Sequence, residues 1–201
     1  MGRNIIGLLL GCLIGGAVGL YGVNHSSPAI TPVYYNSEML ADLEATGEVI
    51  TRVKEPEFVY LPMVNLSEED QEKIFTIANS YNIAYTLILS MIETESSCNV
   101  SANSSTGDHG LMQINEINHK RLYDELGITD YYDLEENVEA GCFILSELFE
   151  EYREVHEVLM AYNMGERGAS KLWRQGVHES QYSKKIVDRE IELSEFIDGV
   201  R

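Results

Sequence analysis

Residues 93–115 read ETESSCNVSANSSTGDHGLMQIN and gather Glu93, Glu95, Asp108 and His109, side chains whose types can move protons. A carboxyl group that stays protonated near neutral pH can hand a proton to a leaving group as a general acid. Which carboxylate is so placed depends on the helix that carries it. Apolar periodicity puts residues 84–95 on a helix, and at about 100° per residue Ala84, Ile88, Met91, Ile92 and Glu95 share one face. Glu95 falls near the centre of that apolar face. Glu93 lies well round the helix, nearer Thr86 and Ser90, where a solvated or hydrogen-bonded role fits. Burial disfavours the charged form of a carboxyl and raises its pKa. The pattern also admits a plainer reading, a Glu that has reached the helix end and turned to solvent.

The elements around this stretch read as mainly α. Ser67 with Asp70 forms a capping-box pattern ahead of an apolar periodic run. A polar loop follows the glutamates over residues 96–109. Further helices are expected at about 116–125, 135–152, 155–163, 167–174 and 179–193, with no strong strand alternation after residue 66. The 201 residues carry a net charge of −19, which argues against nucleic acid as a partner because phosphate binding needs basic patches. Hydrophobic residues make up 44% of the chain, enough for a core. Cys12, Cys98 and Cys142 include no CxxC pair, so no zinc-ligand spacing is present, and neither metal nor cofactor is expected. Cys98 and Cys142 are either a disulfide, if the domain is extracellular, or two small buried thiols.

Three stretches in order resemble the lytic transglycosylases with a lysozyme-like catalytic domain, the soluble lytic transglycosylase type. The first supplies Glu95, Ser96, Asn99, Ser104, Gly107, Gly110, Leu111, Met112 and Gln113 in the family's spacing. The second, NVEAGCFILSEL, is similar to the family's Asn-x-x-x-Gly helix, and the third, AYNMG, to its Ala-Tyr-Asn-x-Gly motif. YSKKI resembles the closing helix, and the similarity covers about residues 68–187. The resemblance implies a lysozyme-superfamily fold and cleavage of the MurNAc–GlcNAc bond of peptidoglycan, ending in a 1,6-anhydro sugar without added water. It makes Glu95 the single acid/base. It also implies that Gln113, Tyr162 and Asn163 line the cleft near the N-acetyl group, that Ser104 helps position the sugar, and that Met112 packs beside the cleft or in the core.

Asp108 departs from the family, many of whose members have Ala there. The stretch DHGLMQIN is similar to the Asp-Tyr-Gly-Ile-Leu-Gln-Ile-Asn stretch of animal-type lysozymes, in which the Asp is the second catalytic carboxylate. The alternative reading is therefore a muramidase using Glu95 and Asp108. From another class comes a non-catalytic peptidoglycan-binding scaffold with a retained groove.

The chain before the domain divides into an anchor, residues 1–23, and a stalk, residues 24–66; the catalytic domain is expected over 67–201. Residues 5–23 are 19 positions without a charge, about 28 Å as a helix, close to a bilayer core. Arg3 precedes them and no basic residue follows until Arg52, so the domain is expected outside a cell membrane on an uncleaved single-pass helix. A cleaved signal peptide is the rival, but no convincing A-x-A site follows the apolar run. Gly7, Gly11, Gly15 and Gly19 recur every four residues, a small-residue stripe through which two such helices could associate. All four prolines lie in the stalk, where a short helix over 37–49 and a short strand at 58–61 are expected.

Overall fold

The computed structural model describes residues 57–200, together with the backbone of a short antiparallel pair, Gly19–Tyr21 (β1) with Pro32–Tyr34 (β2). Most of the expected anchor, its glycine stripe up to Gly15, and the expected stalk helix lie outside the described residues. Gly19–Tyr21 runs as strand and not as the end of a helix, so Gly19 does not continue a helical stripe there. Among the described residues no helix is long and apolar enough to cross a membrane.

Five of the six α-helices among the described residues close a ring. In chain order the helices are α1 (Glu68–Ser80), α2 (Tyr85–Ser96), α3 (His119–Leu126), α4 (Leu134–Glu151), α5 (Val155–Trp173) and α6 (Gln181–Val200). The pairs α1–α2, α2–α6, α6–α5, α5–α4 and α4–α1 all pack together. α1 starts where the capping pattern places it, with the Ser67 hydroxyl accepting from the Asp70 amide. α2 is the driest member of the ring, with every residue from Tyr85 to Ile92 buried. A helix buried all round needs mostly apolar residues all round, and the sequence YTLILSMI supplies them; its polar members are partnered, with the Ser90 hydroxyl donating to the Thr86 carbonyl, the Thr86 hydroxyl accepting from Ser194 and the Tyr85 hydroxyl donating to Gln71. Each fully buried Leu, Ile or Met on it contributes about 1.5–3 kcal/mol.

Residues 58–61, expected as a strand, form none. The tail of the expected stalk instead packs on the domain, with Leu61 and Val64 buried. Gln71 of α1 holds it there: its side-chain amide donates to the Leu61 and Leu66 carbonyls, and its oxygen accepts from the Leu61 amide and the Tyr85 hydroxyl. Phe58, Phe75 and Tyr85 add three edge-on ring contacts, with centroids 5.6–6.0 Å apart.

The two helices expected at 155–163 and 167–174 form one element, α5, broken at Gly165, whose φ of 70° and ψ of 153° leave the helical region. A residue with a side chain is rarely found at that φ. Between α2 and α3 the loop contains a hairpin of two-residue strands, β3 (Asp108–His109) and β4 (Ile114–Asn115), in register Asp108 with Asn115. Strands this short carry no alternation to read in a sequence. Cys98 and Cys142 are both free thiols and not a disulfide; Cys142 is fully buried, as the second reading expects, and Cys98 is half-buried.

The hairpin is fixed to the ring by Asn137 on α4. Its side-chain oxygen accepts from the Met112 amide at 2.8 Å, and its amide donates to the His109 and Tyr131 carbonyls at 2.9 and 2.8 Å. One helical turn on, Gly141 leaves room for Met112; a Cβ there would lie 2.3 Å from the Met112 sulfur. Gly110, at φ 76°, is equally constrained, since a Cβ would lie 2.2 Å from the Tyr131 carbonyl oxygen. Asn137→Ala strands three buried or half-buried polar groups and should cost about 2–4 kcal/mol in chemical denaturation, whereas Asn137→Asp should restore the bond to Met112 alone.

Candidate active site

Glu95 stands in the last turn of α2, where burial of the helix ends; Tyr182 of α6, Tyr162 of α5 and Asp108 of the hairpin are its neighbours, and the space they border is termed the groove. The chain leaves α2 abruptly. Ser97 and Cys98 both take left-handed conformations (φ 53° and 63°), and the Ser96 hydroxyl bonds back to the Ile92 carbonyl at 3.1 Å. Ile88, Met91 and Ile92, which share the Glu95 face, are completely buried, and Glu95 itself is half-buried. Its Oε1 accepts a 2.5 Å hydrogen bond from the Tyr182 hydroxyl near the start of α6.

Burial pushes the Glu95 carboxyl up. The Tyr182 hydrogen bond opposes that, the Asp108 charge adds to it and Lys185 opposes it, and the balance stands above the ordinary carboxyl value. Tyr182 and Tyr162 are themselves pushed well above the usual phenol range, first by burial and then by the Glu95 charge, so both are neutral donors. Tyr162 donates to the Met112 carbonyl at 2.9 Å, which ties α5 to the hairpin turn.

Asp108 has the opposite character. Burial alone would raise it, but hydrogen bonds from Ser104, Thr106 and Asn115, with His109 alongside, outweigh burial and hold it below its ordinary range. Ser104 Oγ and Thr106 Oγ1 donate to one carboxylate oxygen at 2.5 and 2.6 Å, and Asn115 Nδ2 donates to the other at 2.6 Å. The Ser104 hydroxyl also accepts from the Thr106 and Asp108 amides, both at 3.1 Å. Ser104 and Asp108 thus organise the loop that forms one wall of the groove.

The remaining sequence-selected residues differ in placement. Gln113 is half-buried at φ 50°, with its amide donating to the Gly110 carbonyl at 2.9 Å. A non-glycine residue held there stores strain, which is common at functional sites. Met112 has no exposed side-chain surface and belongs to the core. Asn163 is exposed, next to Tyr162 and two residues before the break at Gly165. His109 packs against the rings of His119 and Tyr132, with its Nδ1 2.8 Å from the Tyr132 hydroxyl. Glu93 receives a two-bond grip from Arg189 of α6. Among the described residues no group of three or more His, Cys, Asp or Glu side chains could hold a metal.

Sequence reasoning passed over Tyr182. It was visible only as the first residue of a helix-closing motif, and its pairing with Glu95 spans 87 positions. The structural role of Asn137 was equally hidden inside a motif.

A mainly helical domain with one raised carboxyl at the end of a buried helix is the lysozyme-like arrangement. The transglycosylase SLT domain matches residues 72–187, more than half of the chain, and the chain belongs to that family. A transglycosylase of Enterobacteria phage PRD1 is 32% identical over 116 residues, 58% of this chain and 41% of that protein. The membrane-bound lytic murein transglycosylase F of Desulfosudis oleivorans is 30% identical over 95 residues, 44% of this chain and 20% of that one. The lytic transglycosylase Slt of Pseudomonas aeruginosa, solved as an inactive mutant, superposes with a TM-score of 0.57 at 15% identity, over 67% of this chain and 25% of that one. The 70 kDa soluble lytic transglycosylase of Escherichia coli gives 0.56 at 17% identity, with the same coverage. The chain therefore spans about two fifths or less of these curated relatives and a quarter of the solved chains.

A raised carboxyl has a thermodynamic signature. The stability that Glu95 gains from holding its proton is present in full below its unfolded pKa and is lost as pH rises through the raised folded value. Glu95→Gln cannot lose a proton and keeps an acceptor for Tyr182. Its stability relative to the native chain should therefore be flat in acid, climb as pH rises past the ordinary carboxyl range, and level off above the raised value. Urea unfolding at a series of pH values measures the gap.

Proposed function

We propose that this chain is a peptidoglycan lytic transglycosylase that cleaves the β-1,4 bond between MurNAc and GlcNAc and releases 1,6-anhydro-MurNAc ends. The observation that carries the reading is the Glu95 carboxyl, half-buried, raised above its ordinary range and oriented by a neutral Tyr182. Protonated Glu95 gives its proton to the glycosidic oxygen as the bond from C1 breaks. The sugar's own N-acetyl group stabilises C1, a substrate-assisted course that needs no second carboxylate. The Glu95 carboxylate then takes the proton of the C6 hydroxyl as that oxygen bonds to C1. Glu95 ends protonated, and no water enters the product.

In this reading Gln113, Tyr162 and Asn163 line the groove around the N-acetyl group. Tyr162 contributes by fixing the Met112 carbonyl, and the buried Met112 side chain supports the wall from behind. Ser104 acts through the Asp108 loop, to which its hydroxyl is committed. Residues 1–23 would hold the domain at the outer face of a membrane. Support for that comes from their uncharged run and from a relative named membrane-bound. Tethering offsets the repulsion between a chain of net charge −19 and an anionic wall. External protease on intact cells should then cleave the domain from a membrane-retained N-terminal fragment; a mature form free in the medium would contradict it.

One observation favours a second reading. The pKa values of Glu95 and Asp108 are displaced in opposite directions, the pattern of an acid and a charge-stabilising carboxylate in a hydrolase. Mass spectrometry of digested peptidoglycan separates the two, because anhydro ends are lighter than hydrolysed ends by one water, about 18 Da. Glu95→Gln should lower the rate by on the order of 10²–10⁴ or more. Asp108→Asn should retain measurable activity with anhydro ends. Reducing ends, with Asp108→Asn as inactive as Glu95→Gln, would make the protein a muramidase. Glycan binding with no cleavage by the native chain would make it a scaffold.

A further inference from the structure

The two glutamates of the opening stretch are both held by α6, Glu95 by Tyr182 and Glu93 by Arg189. Arg189 Nε donates to Glu93 Oε2 at 2.7 Å and its Nη2 donates to Glu93 Oε1 at 3.1 Å, a fork-on-fork pair. Both side chains are largely shielded, with 27% and 23% of their surface exposed. Such a pair is directional as well as attractive, because the planar guanidinium fits the carboxylate in one orientation. The third nitrogen of Arg189, Nη1, donates to Glu192 at 2.8 Å, which fixes the fork from its other side.

The geometry points to Glu93 and Arg189 as a positioning clamp that sets the register of α6 on α2 and thereby holds the Tyr182 hydroxyl against Glu95. Three polar links join the antiparallel helices in order, Glu95 with Tyr182, Glu93 with Arg189, and Thr86 with Ser194 at 3.1 Å. Tyr182 and Arg189 are seven residues apart on α6, so they lie on one face, about 10 Å apart along the axis. Glu93 and Glu95 project from α2 about 200° apart, so α6 grips the last turn of α2 from both sides. One grip would leave that turn free to twist about its axis; two fix it. The buried Ile186 and Leu193 of α6 supply attraction but no register, since apolar packing tolerates small slides that a forked ion pair does not. Arg189 also lies beyond residue 187, where the family match ends.

This inference rests on Glu95 being the acid/base. The groups that face Glu95 are Tyr182 and Lys185 from α6, Tyr162 from α5 and Asp108 from β3. Of these, Tyr182 and Lys185 favour the Glu95 anion, and both move with α6. Loosening the clamp therefore weakens two influences that lower the Glu95 pKa. Activity that needs protonated Glu95 falls as pH rises through that pKa, so loosening should move the alkaline limb of the pH–rate profile to higher pH while lowering kcat.

The test compares Glu93→Gln, Arg189→Lys, Tyr182→Phe and Glu95→Gln in the full chain, with solubilised peptidoglycan strands as substrate. Arg121→Gln serves as a remote control, since it breaks the exposed pair with Glu147. We expect Glu93→Gln and Arg189→Lys to lower kcat about tenfold to a hundredfold, with KM within about twofold, and to shift the alkaline limb upward in the direction that Tyr182→Phe shifts it. Arg121→Gln should leave the limb in place. If Glu93→Gln fails to fold, Arg189→Lys, which keeps the charge and loses the fork, decides the matter. Native kcat and an unmoved limb in a folded Arg189→Lys chain would overturn the clamp, while an inactive Glu95→Gln beside it would leave the Glu95 reading intact. Full activity of Glu95→Gln would overturn that reading itself.

Discussion

A carboxyl group stays protonated near neutral pH only where water is kept from most of it, and it can act only where substrate reaches the rest. The end of a buried helix meets both demands. α2 is dry on all sides through Ile92 and runs out at Ser96, so Glu95 sits at the boundary between core and groove. The closed ring of α1, α2, α6, α5 and α4 exists to make that boundary sharp. Truncate the apolar side chains that keep α2 dry and water reaches its last turn; the desolvation that raises Glu95 then fades.

The groove's other wall is built on a different principle. The hairpin has too few residues to hold itself, since isolated two-residue strands have no stability of their own. It is held by buried polar contacts reaching across from α4, with Asn137 bonded to its turn and Gly141 admitting Met112 against the helix. Asp108, with Ser104, Thr106 and Asn115, closes the loop on itself. An apolar anchor alone would let the turn slide; two directed hydrogen bonds between it and one Asn do not. The two carboxylates of the groove thus differ because one sits in a wall made of hydrocarbon and the other in a wall made of hydrogen-bond donors.

The helices were legible because their apolar residues recur at helical spacing. The placement of Glu95 on the Ile88–Met91–Ile92 face followed from the same geometry, as did the separate fate of Glu93. What periodicity could not supply was partnership across the chain. Tyr182 and Arg189 meet the glutamates over 87 and 96 positions, and nothing in either local sequence marks them. The inner packing of Leu61 and Val64 was missed for a related reason: a segment with no regular structure carries no period, and its polar partner, Gln71, lies in the helix that follows it. Gln113 shows the limit from the other side. Its side chain was selected by resemblance, but its left-handed backbone is visible only in the folded turn.

The central claim is that burial raises the Glu95 carboxyl above the ordinary glutamate value while the hydrogen bond from Tyr182 restrains that rise. Direct titration of the Glu95 carboxyl carbon by NMR, in the native chain and in Tyr182→Phe, tests both halves at once. The account predicts a midpoint above the usual glutamate value of 4.5 in the native chain and a higher one still in Tyr182→Phe, where the bond that favours the anion is gone. A native midpoint at or below that ordinary value, or a downward shift in Tyr182→Phe, would contradict it.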